Sequence, residues 1–343
     1  MRSLGRLENI PIGIVRAIAK INEYKGKQEL FYKQSPEILQ KLQEIAEIQS
    51  AESSNRIEGI KVSNQKLKEI MCRKTTPRDR SEAEISGYRD VLGTIHASAL
   101  HIPVKPQIIL QLHRDMYKYL PQEGGVWKPV DNVIEEKLPD GTRRVRFAPV
   151  KAFLVPIAMD GLCQNFTAYQ SKGDVDELIL SFAFILDFLC IHPFTDGNGR
   201  MSRLLTLLLL YQAGFEVGRF ISLERIVEES KETYYEALES SSRGWHEKEH
   251  NPIPWIGYSL GILIAAYKEF EDRVHLAENQ RGTKTAMIKE AILHFRGDFS
   301  IQDIEQACPN ASRPTIHRVL SALKEEGSVD CIISGRYARW KKL

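Results

Sequence analysis

The sequence predicts a mainly α-helical protein, and three observations carry that expectation. Apolar residues recur at helical spacing through residues 36–71, 82–100 and 108–119. Two strongly apolar stretches, Leu178 to Ile191 and Leu204 to Tyr211, enclose one short polar loop. A single segment, Trp127 to Val150, breaks the helical pattern and carries a hairpin signal.

Taken in order, Ile38, Leu39, Leu42, Ile45 and Ile48 fall on one helical stripe. Thr75-Thr-Pro-Arg-Asp-Arg80 then punctuates the chain. The stripe resumes from Glu82 to Leu100 with Tyr88, Val91, Leu92 and Ile95, and Ile108 to Tyr119 forms an amphipathic helix opened after Pro106. Within Trp127 to Val150, Asp140-Gly141 supplies a tight turn between two short extended arms. Leu178 to Ile191 and Leu204 to Tyr211 are the most deeply buried helices. Tyr234-Tyr235 lies on a later helix, and Pro254-Trp255-Ile256 opens one that closes the domain.

Glu278-Asn-Gln-Arg-Gly-Thr-Lys284 reads as a polar linker. Beyond it, Met287 to Phe295, Ile301 to Ala307 and Arg313 to Glu326 carry helical patterns, the last with Ser312 as N-cap and Pro314 in its first turn. Val329 to Ile333 and Arg336 to Trp340 flank Ser334-Gly335 as a hairpin. Three helices and a hairpin resemble a winged helix. The expected organisation is an N-terminal helical region over 1–100, a core over 101–277 and a winged-helix domain over 284–343.

With 343 residues, 43% hydrophobic and 27% charged, the chain has the composition of a globular protein able to bury large cores. Its net charge of +2 supplies no global attraction to nucleic acid or membrane. Cys72, Cys163, Cys190, Cys308 and Cys331 are scattered and lack metal-ligand spacing, as reduced thiols would be. Leu178 to Ile191 is too short for a bilayer and contains Asp187, and no signal-peptide pattern opens the chain. A cytoplasmic protein with no membrane partner is expected.

The polar loop, His192-Pro-Phe-Thr-Asp-Gly-Asn-Gly-Arg200 followed by Arg203, gathers a base, an acid, two glycines and two cations. Gly197 and Gly199 leave backbone open to a ligand, and the amides that begin the next helix point at one spot, which suits phosphate. Arg200 and Arg203, three residues apart, share one side of the first helical turn and can grip phosphoryl oxygens. Asp196 is a hard oxygen ligand suited to Mg²⁺. His192, with an ordinary pKa of about 6.5, can take a proton from an attacking hydroxyl.

At every defining position this string resembles the signature of Fic domain proteins. That resemblance implies a Fic-type helical core with a β-hairpin flap, and transfer of AMP from ATP to a hydroxyl of a target protein. It makes His192 the general base and Asp196 the Mg²⁺ ligand. Gly197, Asn198 and Gly199 become the anion hole, Arg200 the holder of the β-phosphate region and Arg203 the γ-phosphate contact. Phe194 becomes the structural anchor of the loop. Relatives that phosphorylate carry Lys where this chain has Gly199, so the glycine points to adenylylation. The resemblance also implies that Val145, Arg146 and Phe147 form a strand edge for the target segment, and that Tyr234 or Tyr235 meets the base or ribose.

Ser54-Asn-Arg-Ile-Glu58-Gly59 is the second informative string. Taken alone it is an ordinary solvated helix face ended by a glycine. Beside the loop it resembles the inhibitory motif of Fic proteins, which implies that Glu58 pairs with Arg203 where the γ-phosphate would sit. The implied partners are ATP with Mg²⁺ and a target protein of unknown identity, with a second copy of the chain as a further candidate. DNA is a candidate through residues 284–343, because seven Lys/Arg against three Asp/Glu follow Ser312. Two other classes stay open: a transcriptional regulator with a nucleotide-sensing core, and an enzyme that removes AMP.

Overall fold

A computed structural model describes the chain apart from residues 8, 35, 73–75, 138–141, 296, 309–310, 334 and 336–337. It divides into two compact units, Met1–Phe270 and Glu271–Leu343. The first contains α1 (Ile12–Gln34), α2 (Pro36–Ile57), α3 (Asn64–Met71), α4 (Arg80–Ser98) and α5 (Pro106–Met116). A hairpin follows, β1 (Ile134–Lys137) and β2 (Arg143–Phe147), then α6 (Val155–Lys172), α7 (Glu177–Ile191), α8 (Asn198–Gln212), α9 (Leu223–Glu229) and α10 (Lys231–Ser242). The long α11 (Ile253–His294) begins in this unit. The expected turn at Asp140-Gly141 lies outside the described residues, as does Thr75.

The core is built around α7. Asp176 starts it by accepting the amides of Leu178 (2.9 Å) and Ile179 (3.3 Å), and every residue from Leu178 to Ile191 is buried. Each large apolar side chain so buried contributes roughly 1.5–3 kcal/mol, less the entropy of ordering it. Asp187, the charge inside this run, accepts from Ser3 Oγ (2.5 Å), the Ser3 amide (3.2 Å) and Trp245 Nε1 (2.8 Å). A carboxylate satisfied in this way is tolerated inside a core. Packed on α7, α8 is buried through Arg200–Leu205 and Leu207–Tyr211, so the polar loop joins two fixed helices.

The helical spacing over 36–71 divides into two helices at the stop expected at Gly59. α2 stops at Ile57 because Gly59 takes φ +85°, and Ser63 restarts the chain as α3 by accepting the Lys66 amide. In the second unit, β3 (Phe299–Ser300), α12 (Ile301–Ala307), α13 (Arg313–Glu325), β4 (Val329–Ile333) and β5 (Arg339–Lys342) surround Ile288, Ile292, Phe299, Ile304, Ile316, Leu320 and Trp340. The strands are ordered β3-β5-β4, so the expected hairpin gains a third strand, and its second arm starts at Arg339. Ser334 and Arg336 lie outside the described residues. Residues 278–284, expected as a linker, are helical within α11. A lone Gly282 costs a helix only about 1 kcal/mol, too little to break it. Among the described residues no helix is long and apolar enough to cross a membrane.

Candidate active site

The loop between α7 and α8 is shaped by its own side chains. His192 ends α7 in the left-handed conformation (φ 52°), and Gly197 (φ 81°) opens α8. Asn198 staples the turn: the Phe194 amide donates to its Oδ1 (2.9 Å) and its Nδ2 donates to the Phe194 carbonyl (2.8 Å). Its side chain is therefore spent on the loop, and only its backbone is left for an anion. Phe194 is fully buried and stacks on His113 with ring centroids 3.7 Å apart. The Gly125 amide donates to His113 Nδ1 (2.9 Å), which places the proton on Nε2, and Nε2 donates to the Asp196 carbonyl (3.1 Å). Burial first, then Arg200, pushes the His113 pKa down to about 4, which preserves this neutral tautomer.

His192 keeps part of its surface open, while Nδ1 is enclosed without a hydrogen bond of good geometry. Burial chiefly, then the Lys128 ammonium, pushes its pKa down to about 4, so at neutral pH the imidazole is unprotonated and able to accept. Lys128 is tied to the loop through its amide, which donates to the Pro193 carbonyl (2.8 Å). Its ammonium donates to Asn132 Oδ1 (2.8 Å), and burial lowers its pKa to about 8.

Asp196 projects outward, with its side chain 57% exposed. Its Oδ1 accepts the Gly197 amide (2.7 Å), and its Oδ2 faces Arg200 (3.5 Å) and Arg80 (3.7 Å). Desolvation opposes ionisation here, but Arg200, the Gly197 amide, Tyr117 and Arg80 together hold the carboxyl below its usual range. Arg200 is buried and paired with the equally buried Glu84 at 2.8 Å. The N-cap of α8 is Gly197, which has no side chain to cap the helix.

Arg203 is also buried. Its Nε donates to Ser54 Oγ (2.8 Å), and one terminal nitrogen donates to the Ser54 carbonyl (2.9 Å) and to Glu58 Oε1 (2.8 Å). Glu58 follows the end of α2 and lies against the first turn of α8, so closely that a Cβ on Gly199 would collide with its Oε1. The carboxylate thus stands where the open amides and Arg203 converge. Three further contacts clamp α2: Ser50 Oγ donates to Glu224 (2.7 Å), Arg56 pairs with Glu228 (2.9 Å), and Lys231 Nζ donates to the Ile57 carbonyl (2.7 Å).

The two tyrosines divide. Tyr234 is buried and edge-packed on Trp255 and Tyr258, so it belongs to the core, while Tyr235 is part exposed beneath the Arg146 guanidinium (5.0 Å). Of the expected docking edge, Val145 is exposed. Arg146 reaches over to the Tyr235 carbonyl (3.5 Å), and Phe147 stacks on His246 (5.5 Å). A small, largely apolar cavity of about 50 Å³ lies beside Arg203, lined also by Phe182, Leu207, Trp255 and Leu263. Such walls suit no phosphate. Arg80, Glu84, His113 and Lys128 are site residues that the sequence does not single out.

A loop of this build between two buried helices defines a class, and the comparisons agree with it. A model of the Fic/DOC family matches residues 103–210. A Fido domain-containing protein of Dictyostelium discoideum is 34% identical over 134 residues, which are 38% of this chain and 89% of that protein. A Fic family protein from Desulfovibrio desulfuricans has a similar fold (TM-score 0.65, 21% identity, 98% of this chain and 97% of that one). So has a Fic domain containing signaling protein from Bacteroides thetaiotaomicron (TM-score 0.58, 19% identity, 77% and 97%). The chain belongs to the Fic/DOC family, whose members are known for transferring nucleoside monophosphates to proteins.

Proposed function

We propose that this chain is a protein adenylyltransferase held in a self-inhibited state by Glu58. The observation that carries the reading is the meeting of Glu58 with Arg203 and Gly199 at the N-terminus of α8, whose N-cap is a glycine, beside a neutral His192. Oriented amides and arginines form an anion site, and a carboxylate from the same chain fills it. Glu58 repels phosphate and neutralises the cation that phosphate needs.

With Glu58 withdrawn, the triphosphate of ATP lies along Gly197, Asn198 and Gly199, with Arg203 released to its terminal phosphoryl group. Arg200 supports the β-phosphate side from behind, through the edge it turns to Asp196. Asp196 fits Mg²⁺: one exposed carboxylate is what a metal bound mainly by substrate phosphates requires. No cluster of three or more His, Cys, Asp or Glu that could hold a metal occurs among the described residues, which disfavours a protein-only metal cage. When bound, Mg²⁺ neutralises phosphate charge. A Ser, Thr or Tyr hydroxyl, aligned by main-chain pairing along the β1–β2 hairpin beside Val145, gives its proton to His192 as its oxygen bonds the α-phosphorus. The bond from that phosphorus to the bridging oxygen breaks, and pyrophosphate leaves. Of the tyrosines, we assign the nucleoside contact to Tyr235, because Tyr234 is buried in the core.

Labelled ATP tests this. Glu58→Gly should raise AMP incorporation into the chain or its target at least about tenfold, the equivalent of about 1.4 kcal/mol. Glu58→Gly with His192→Ala should lose labelling while still binding ATP. No rise in the first variant would sink the self-inhibited reading, and transfer of another nucleoside monophosphate would redefine the donor. We also read the second unit as a winged helix, with α13 as the recognition-type helix and β4–β5 as the wing. We assign it to protein docking rather than to DNA, a choice that retardation of duplex DNA decides.

A further inference from the structure

Glu84 sits between two arginines. One oxygen accepts Arg200 at 2.8 Å, and the other accepts Arg80 Nε at 2.6 Å. The two cations are in opposite situations: the Arg200 side chain is 2% exposed, and that of Arg80, the first residue of α4, is 66% exposed. Arg80 also places a terminal nitrogen 3.7 Å from Asp196 Oδ2, at the outer edge of the phosphate site.

The cost of moving these groups differs accordingly. Turning Arg200 toward a ligand would strand a buried carboxylate, and Arg203 is held by Ser54 and Glu58 at 2.8–2.9 Å. Arg80 is paired at the surface, where such contacts are weak and rearrange readily. Its Nε can stay on Glu84 while the terminal nitrogens turn. Arg80, Arg200 and Arg203 face Glu84, Asp196 and Glu58, three charges against three, and the Lys128 ammonium beside His192 adds a fourth cation. Withdrawing Glu58 makes the site one unit more positive, and a divalent cation at Asp196 would repel the Arg80 guanidinium from that oxygen.

We propose that Arg80 is a third phosphate-binding arginine, which leaves Asp196 when metal and triphosphate enter and grips the β- and γ-phosphoryl oxygens from the solvent side. This rests on the adenylyltransferase reading. It assigns Arg80 to discrimination between a nucleoside triphosphate and a monophosphate, because only the former extends to the mouth of the site. The phosphoryl oxygens accept from its two terminal nitrogens, in the bidentate geometry that guanidinium favours.

The test compares Glu58→Gly with Glu58→Gly/Arg80→Ala by calorimetric titration of AMP, ADP and ATP, each with Mg²⁺. ATP affinity should fall about tenfold and AMP affinity less than about twofold, with Arg80→Lys in between. An exposed side chain can be removed with the fold intact, which a melting curve checks. Unchanged ATP affinity, or equal losses for AMP and ATP, overturns the role of Arg80 and leaves the enzyme reading standing. Absence of ATP binding by Glu58→Gly itself overturns both.

Discussion

At the scale of single residues, the site depends on imidazoles kept neutral. His113 and His192 both sit at about 4, the first through burial and Arg200, the second through burial and Lys128. A base acts only while unprotonated, so activity should fall as pH drops through the pKa of His192 in the free enzyme. In Glu58→Gly the nearby carboxylate that favours the imidazolium is gone, which moves that limb no higher. We therefore expect kcat/KM of Glu58→Gly to be flat between about pH 6 and 8 and to fall only below about pH 5. Lys128→Met removes a repelling cation and should shift the limb upward. An acid limb near the ordinary imidazole value of about 6.5 would count against the site geometry. Much of this was legible in the sequence, because His192, Asp196, Gly197, Gly199, Arg200 and Arg203 lie within twelve positions. Glu84 and His113 were not, since each lies on an ordinary-looking helix and reaches the loop across 116 and 83 residues.

At the scale of elements, the proposed self-inhibition rests on the seating of α2. Ser50, Ser54 and Glu58 recur every four residues, so one stripe meets Glu224 and Arg203 in turn. Glu224 is buried and accepts from Ser50 (2.7 Å), Ser222 (3.3 Å) and Tyr88 (2.8 Å), joining α2, α4 and the start of α9. Replacing it by Gln leaves the shape but weakens three charge-assisted hydrogen bonds, a loss of about 1–3 kcal/mol. The strain falls on the seating of α2, so Glu224→Gln should lower the midpoint of urea unfolding and raise AMP incorporation several-fold. In the Glu58→Gly background it should lower stability without raising labelling further. An equal rise in both backgrounds would show that Glu224 acts on the catalytic core and not through α2. The sequence shows the stripe, but its partner on α9 is visible only once helices 172 and 174 residues apart are packed.

At the scale of the whole molecule, the second unit poses the remaining choice of partner, and its charge argues the case. After Ser312 the sequence has four more Lys/Arg than Asp/Glu, seven against three. The structure commits several of them: Arg313 pairs with Glu305 (2.7 Å), Lys324 with Asp330 (3.3 Å), and Lys342 Nζ donates to the Leu293 carbonyl (2.7 Å). Arg339, though exposed, donates to the Asp298 carbonyl (3.4 Å), and Arg318 and Lys341 remain as exposed cations among the described residues. Two such cations release about two counterions, so these described residues should contribute a logarithmic salt slope of only about −2 to binding of duplex DNA. The edge strand β4 instead exposes Ile332 and Ile333, half-open apolar residues more suited to protein contact. Helix and hairpin patterns were readable here because their periods differ. The third strand was not, since two residues of β3 carry no period, and continuous helix through 278–284 defeated a composition-based linker. We expect the full chain to leave duplex DNA unretarded at about 150 mM salt, where so few phosphate contacts cannot hold a complex. Retardation that persists there and is abolished by Arg318→Ala would make α13 a DNA-reading helix and the core its nucleotide-responsive regulator.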